Sequence, residues 1–204
     1  RNLMLIVAMC MVSAVAFAQK TIRVSTDKTD LVLKVSPKGR LYQVYLGDKL
    51  RNPVDYDHLP WEVYASSDAA VHEAYAASGG EDFFEPAVAV THADGNKTTY
   101  LYYQNVEQKA VNGGTETIIT LRDQVYPLTV RLHYVAYPKE NVIKAWSEIS
   151  HQEKAPVVLW RYSSAMLYFK ADRYFLTSYH GDWAREGQLE TAPLTRGKKV
   201  IDTK

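Results

Sequence analysis

From Gln19 onward the apolar residues recur at every second position, in short runs broken by turn residues. That is the period of antiparallel sheet and not the 3.6-residue spacing of a helix. Leu31-Val32-Leu33-Lys34-Val35 and Leu41-Tyr42-Gln43-Val44-Tyr45-Leu46 flank Ser36-Pro37-Lys38-Gly39 and predict a hairpin. Val88-Ala89-Val90 reads as a short strand. Thr98-Thr99-Tyr100-Leu101-Tyr102-Tyr103 leads into a strand pair that turns at Asn112-Gly113-Gly114 and returns through Thr117-Ile118-Ile119-Thr120-Leu121. Residues 128–137 and 142–149 follow as two more strands joined through Pro138-Lys139-Glu140-Asn141. Strands at this density imply an all-β sandwich or barrel with few or no helices. Asp68 to Gly80, rich in Ala, Ser and Gly, is expected to be a long loop holding at most one helical turn. Residues 194–204 look like the start of another strand inside a larger, truncated protein.

The start of the chain breaks the pattern. Arg1 precedes an apolar run that ends in Ala16-Phe17-Ala18, the layout of a secretory signal with cleavage after Ala18. The expected arrangement is a signal peptide over residues 1–18 and one domain over 19–204, exported to the periplasm or beyond. Cys10 is the only cysteine, and Met9 before it is too large for a lipidation site. Disulfides and thiol chemistry are thereby excluded from the exported chain, whose stability must come from core burial.

Charge removes some partners. With 24 basic against 23 acidic residues, nothing steers the chain toward nucleic acid or an anionic membrane. The 15 tyrosines, 4 tryptophans and 5 phenylalanines point elsewhere, because exposed amphipathic rings offer faces on which sugars stack.

Six histidines show neither helical i, i+4 pairing nor company with cysteine, so no metal and no other cofactor is expected. Neither a phosphate-cradling glycine loop nor a Gly-x-Ser-x-Gly elbow occurs. Two carboxylate pairs, Glu81 with Asp82 and Asp182 with Glu186, match the residue type of glycoside hydrolysis, which needs one carboxyl to protonate the leaving oxygen and a second across the sugar. They read equally well as solvated loop acids. His133 or His151 with Glu148 could serve as the acid and base of an aldose epimerase.

Two segments exceed ordinary turns. Gly79-Gly80-Glu81-Asp82-Phe83-Phe84-Glu85-Pro86-Ala87 joins glycines, acids and adjacent aromatics, material suited to binding a polyol. The other, Phe175-Leu176-Thr177-Ser178-Tyr179-His180-Gly181-Asp182-Trp183-Ala184-Arg185-Glu186, sets Trp183 among charges at a loop tip. With Gly197-Lys198-Lys199-Val200-Ile201-Asp202-Thr203 beyond it, this segment resembles the N-terminal region of family 36 α-galactosidases. Gly80-Glu81-Asp82-Phe83 with Pro86-Ala87 is similar to that family's Gly-Asp-Phe-Arg-x-Pro-Ala element. Here Phe84 replaces the arginine and Glu81 the preceding glycine.

The resemblance implies a β-supersandwich of about the present length, packed on a catalytic (β/α)₈ barrel that would lie beyond Lys204. The catalytic aspartates would belong to the barrel and act with retention, so no catalytic residue is expected in this chain. By motif match, Asp82 is the candidate acceptor for galactose hydroxyls and Trp183 the candidate wall of the sugar pocket. The partners implied are an α-galactoside oligosaccharide, the protein's own barrel and, in oligomeric members, a further subunit. The alternative reading of the same residues is a free-standing carbohydrate-binding module.

Overall fold

The computed structural model describes residues 20–59, 72–80, 85–169 and 171–201. The chain divides into two compact units, residues 1–168 and 169–204. Among the described residues there is no α-helix, and the sheets are antiparallel, as the period of two predicts.

The first sheet of unit one has the order β1 (Lys20–Ser25), β2 (Thr29–Val35), β3 (Leu41–Asp48). Its hairpin is the predicted one, with Gly39 in the turn at φ 78°. Ile22 and Val24 pair with Leu33 and Leu31 and point into the core. β2 is buried on both faces, because the segment around a 3₁₀ turn at Pro53–Tyr56 covers the other side. Asn52 starts that turn by accepting the Val54 N–H at 3.2 Å, and Pro53 supplies a fixed φ at its first position. Lys34 donates to the carbonyls of Asp57 and Leu59 at 3.1 and 3.2 Å. Burial pushes its ammonium pKa down, and nearby Asp57 opposes that shift.

The second sheet runs β4–β9, Val88–Thr91 with Val158–Tyr162. β4 is flanked on its other side by residues 76–78, where Ala87 and Val88 donate to Ala76 and Ser78 donates to Val88. The described part of the expected loop at 68–80, residues 72–80, forms no strand or helix but is a loop packed into the core. Residues 68–71 lie outside the described residues, but Ala74, Tyr75 and Ala77 are core. Small side chains let that backbone approach β4 closely enough to bond to it.

The third sheet has four strands in chain order, β5 (Leu101–Val111), β6 (Gly114–Asp123), β7 (Leu128–Tyr137) and β8 (Val142–His151). Alternation sends Ile119, Leu121, Val130, Leu132, Tyr134 and Ala136 to the core face. Tyr103 and Val106 are three apart and would point to opposite faces, but a bulge between Tyr103 and Asn105 brings both inward, opposite Leu121 and Ile119. The apolar faces of the three sheets meet in one cluster.

Unit two is a single hairpin, β10 (Phe175–Asp182) with β11 (Arg185–Pro193). Residues 194–201 are not a strand, correcting that expectation for the described part. Leu194 bonds back to Tyr174 at 2.9 Å, Gly197 turns the chain at φ 124°, and among the described residues no strand pairs with Val200 or Ile201.

Candidate functional site

The hairpin of unit two presents the tryptophan motif. Phe175 pairs with Pro193, Thr177 with Thr191 and Tyr179 with Leu189, and the two threonine hydroxyls lie 2.9 Å apart. The register shifts between His180 and Asp182, so Gly181 is an unpaired bulge residue just before the tip. Asp182 then opposes Arg185 across a two-residue turn, Trp183-Ala184, in which Ala184 is held at φ 61°. This strained turn fixes the spot from which the indole projects, and Trp183 is 93 % exposed. Phe175, Tyr179 and Leu189 are exposed along the same hairpin. Such an arrangement offers apolar and aromatic faces on which a ring can stack.

Asp82 lies outside the described residues, as do Glu81, Phe83 and Phe84. The approach to them is described. Gly79 sits at φ 88°, and a Cβ there would come within 2.8 Å of the Thr98 Cα, so the position requires glycine. Beside Gly80 lies Arg40, whose Nη2 would be 3.4 Å from a Cβ at that position. Arg40 forms an ion pair with Glu73 and donates to it through Nε at 3.1 Å as well. Its guanidinium stands 5.5 and 5.3 Å from the ring centroids of Tyr100 and Tyr102, and among the described residues Nη1 has no hydrogen-bond partner. Sequence reading missed this buried cation, because Glu73 lies in a stretch of alanines that carries no periodic signal.

The acid–base candidates lie on the outer face of the four-stranded sheet. His133 (β7) and Glu148 (β8) come together, with Nε2 3.6 Å from Oε1, a gap too small to admit a sugar ring between them. The imidazole is buried, stacked on Trp146 at 4.6 Å, and its Nδ1 lies 2.8 Å from Glu116 Oε1. Lys109 Nζ reaches the other oxygen of Glu116 at 2.9 Å. The hydrogen bonds from His133 and Lys109 hold the Glu116 carboxyl below its ordinary range. His151, at the far end of β8, lines a groove of about 310 Å³ with Arg122, Thr129 and Gln152, apart from that pair. Among the described residues no group of three or more His, Cys, Asp or Glu is placed to hold a metal ion.

Comparison with known proteins gives a consistent answer. Residues 39–204 match the family described as the glycosyl hydrolase family 36 N-terminal domain. An α-galactosidase of Geobacillus stearothermophilus is 26 % identical over 212 residues, which is 91 % of this chain and 29 % of that protein. The crystal structure of an α-galactosidase from Lactobacillus brevis superposes with a TM-score of 0.74 at 25 % identity, covering 90 % of this chain and 28 % of the other. A variant of the Geobacillus enzyme in complex with raffinose shares the fold, with a TM-score of 0.73 at 24 % identity, over 87 % and 28 % of the two chains. The chain thus spans less than a third of the length of the relatives it matches.

Proposed function

The chain belongs to the glycosyl hydrolase family 36 N-terminal domain family, and we propose that it forms the non-catalytic all-β part of an exported α-galactosidase. The whole enzyme would release terminal α-galactosyl residues from raffinose-type oligosaccharides with retention, using two carboxylates of a barrel domain. The β domain would shape the mouth of that barrel and contribute to subunit contacts. The observation that carries this reading is the family match over residues 39–204. It is supported by the exposure of Trp183 at the tip of the β10–β11 hairpin.

The test compares this chain with the longer gene product on raffinose, following galactose release. Only the longer polypeptide is expected to turn over, and turnover by the 204-residue chain would overthrow the assignment. Within the longer enzyme, Trp183→Ala is expected to raise KM for raffinose about five- to tenfold, as loss of one stacking contact worth roughly 1–1.5 kcal/mol, with little change in the unfolding midpoint. An unchanged KM would remove Trp183 from the pocket. If the 204-residue chain binds raffinose without hydrolysing it, and Trp183→Ala abolishes binding, a carbohydrate-binding module becomes the better description.

A further inference from the structure

Among the described residues no strand pairs with residues 163–168, yet side chains sew this stretch to the rest of unit one. Tyr75 and Ser147 each donate a hydroxyl to the Ser163 carbonyl at 2.7 Å, and Met166 packs against the core. At the far end Gln43 takes hold of Tyr168. Its Nε2 donates to the Tyr168 carbonyl at 2.6 Å, and its Oε1 accepts the Tyr168 N–H at 3.1 Å. The side-chain amide thus makes the reciprocal pair of bonds that a partner residue makes in an antiparallel ladder.

The residue type and the local fold both serve this clasp. A carboxylate lacks the donor and an ammonium or guanidinium lacks the acceptor, whereas an amide has both. The register of β3 shifts so that Gln43, and not Val44, stands opposite Leu33 on the core side of the sheet. Gln43 is buried there, its own N–H donates to the His72 carbonyl at 2.9 Å, and the His72 ring lies 4.3 Å from that of Tyr168. Unit two starts at the next residue, and Tyr174 clasps its first residues. The Tyr174 hydroxyl donates to the Phe169 carbonyl and accepts the Ala171 N–H at 2.8 Å, one residue before β10. The two clasps face each other across the Tyr168–Phe169 peptide.

We propose that Gln43, with Tyr174 across the joint, is a positioning residue for Trp183, because the two clasps keep short the tether on which the β10–β11 hairpin carries the indole to the sugar. The inference rests on the reading above that Trp183 belongs to the sugar pocket. Without the Gln43 amide, the nearest backbone bonds behind the joint among the described residues are those of Ser163, and the tether gains residues 164–168. A longer and softer tether lowers the effective concentration of the group it carries. The loss falls on sugar binding and not on the chemical step, so KM rises while kcat stands. It cannot exceed the loss caused by removing the indole itself.

The test is raffinose kinetics of the full-length polypeptide in double-mutant cycles with Trp183→Ala. Gln43→Met keeps the length of the side chain and removes both amide bonds. Tyr174→Phe removes the facing clasp at a residue that is 38 % exposed, and it carries the same expectation should Gln43→Met fail to fold. Each is expected to raise KM about three- to fivefold at unchanged kcat, and to have no further effect once Trp183 is alanine. A KM raised by the same factor in both backgrounds overturns the proposal, since the clasps would then act through the fold at large. An unchanged KM in Gln43→Met and Tyr174→Phe overturns it too, because the hairpin is then held without them. Trp183→Ala by itself keeps the two readings apart. A raised KM there, beside wild-type KM in the clasp variants, refutes this inference and leaves the pocket reading standing. An unchanged KM there removes Trp183 from the pocket, and this inference with it.

Discussion

Glu116 shows how one side chain couples the outer sheet face to pH. Its two oxygens take hydrogen bonds from His133 and from Lys109, and these hold its folded pKa below the ordinary value of 4.5. A depressed carboxyl adds stability that is fully present above the unfolded pKa and is lost as pH falls through the folded one. Glu116→Gln keeps an acceptor for the His133 ring but removes the charge. The stability difference between wild type and Glu116→Gln, from urea midpoints, should therefore be largest near neutrality and shrink as pH drops below 4.5. A difference independent of pH would mean that the carboxylate contributes shape and not charge. His92 offers a contrast on the same scale. Both ring nitrogens are satisfied, by Glu153 at 2.8 Å and Thr99 at 2.9 Å, and the ring stacks on Tyr126 at 3.5 Å, which makes it a pin between segments. Burial pushes the Glu153 carboxyl up, but bonds from the Ala93 N–H and His92 outweigh it and hold the group low.

At the scale of elements, the turn between β5 and β6 sets the register of the large sheet. Gly113 takes φ 77°, and at Gly114 an added Cβ would lie 2.2 Å from the Ala136 carbonyl oxygen on β7. Gly114→Ala must push β6 from β7 at that point, so a loss of roughly 2–3 kcal/mol is expected in denaturant unfolding, comparable to other strained backbone positions. A loss under about 0.5 kcal/mol would show that the sheet end yields freely. The same hairpin shows what sequence discloses. Where strands are neighbours along the chain, alternation and a turn announce both the strands and their pairing, with a glycine in the turn at β2–β3 and β5–β6 and Pro138–Asn141 at β7–β8. The pairing of β4 with β9 joins residues 88–91 to 158–162, and no local pattern encodes a partner that distant. Ala74 and Ala77 carry no amphipathic signature, so their burial beside β3 and β4 was invisible, as was the Arg40–Glu73 pair. The loop-tip position of Trp183 was legible because the turn chemistry around it is local. Asp82, resting on the same motif-based argument, falls outside the described residues.

On the scale of the whole molecule, the placement of exposed apolar side chains is uneven. Among the described residues, large exposed hydrophobics before β9 are scattered singly, at Val54, Tyr100, Val125 and Val142. From Val158 onward they are dense, and include Trp160, Tyr162, Phe169, Phe175, Tyr179, Trp183, Leu189 and Ile201. Scattered single residues need no explanation, whereas a strand or hairpin that exposes several large apolar side chains, as β9 and the β10–β11 hairpin each do, marks a contact with something else. A sequence with balanced charge, 24 basic against 23 acidic residues, has little net repulsion to keep such surfaces apart. The 204-residue chain should therefore associate with itself in a concentration-dependent way, whereas a longer polypeptide of the kind proposed above should not do so through these residues. Sedimentation velocity across a hundredfold concentration range measures this directly. Trp160→Lys and Phe175→Lys should each shift the 204-residue chain toward monomer, since a charge at the centre of an apolar contact has to be desolvated for the contact to form. A chain that stays monomeric throughout would mean that these side chains tolerate water without a partner, and that the family's longer polypeptide has no need to cover them.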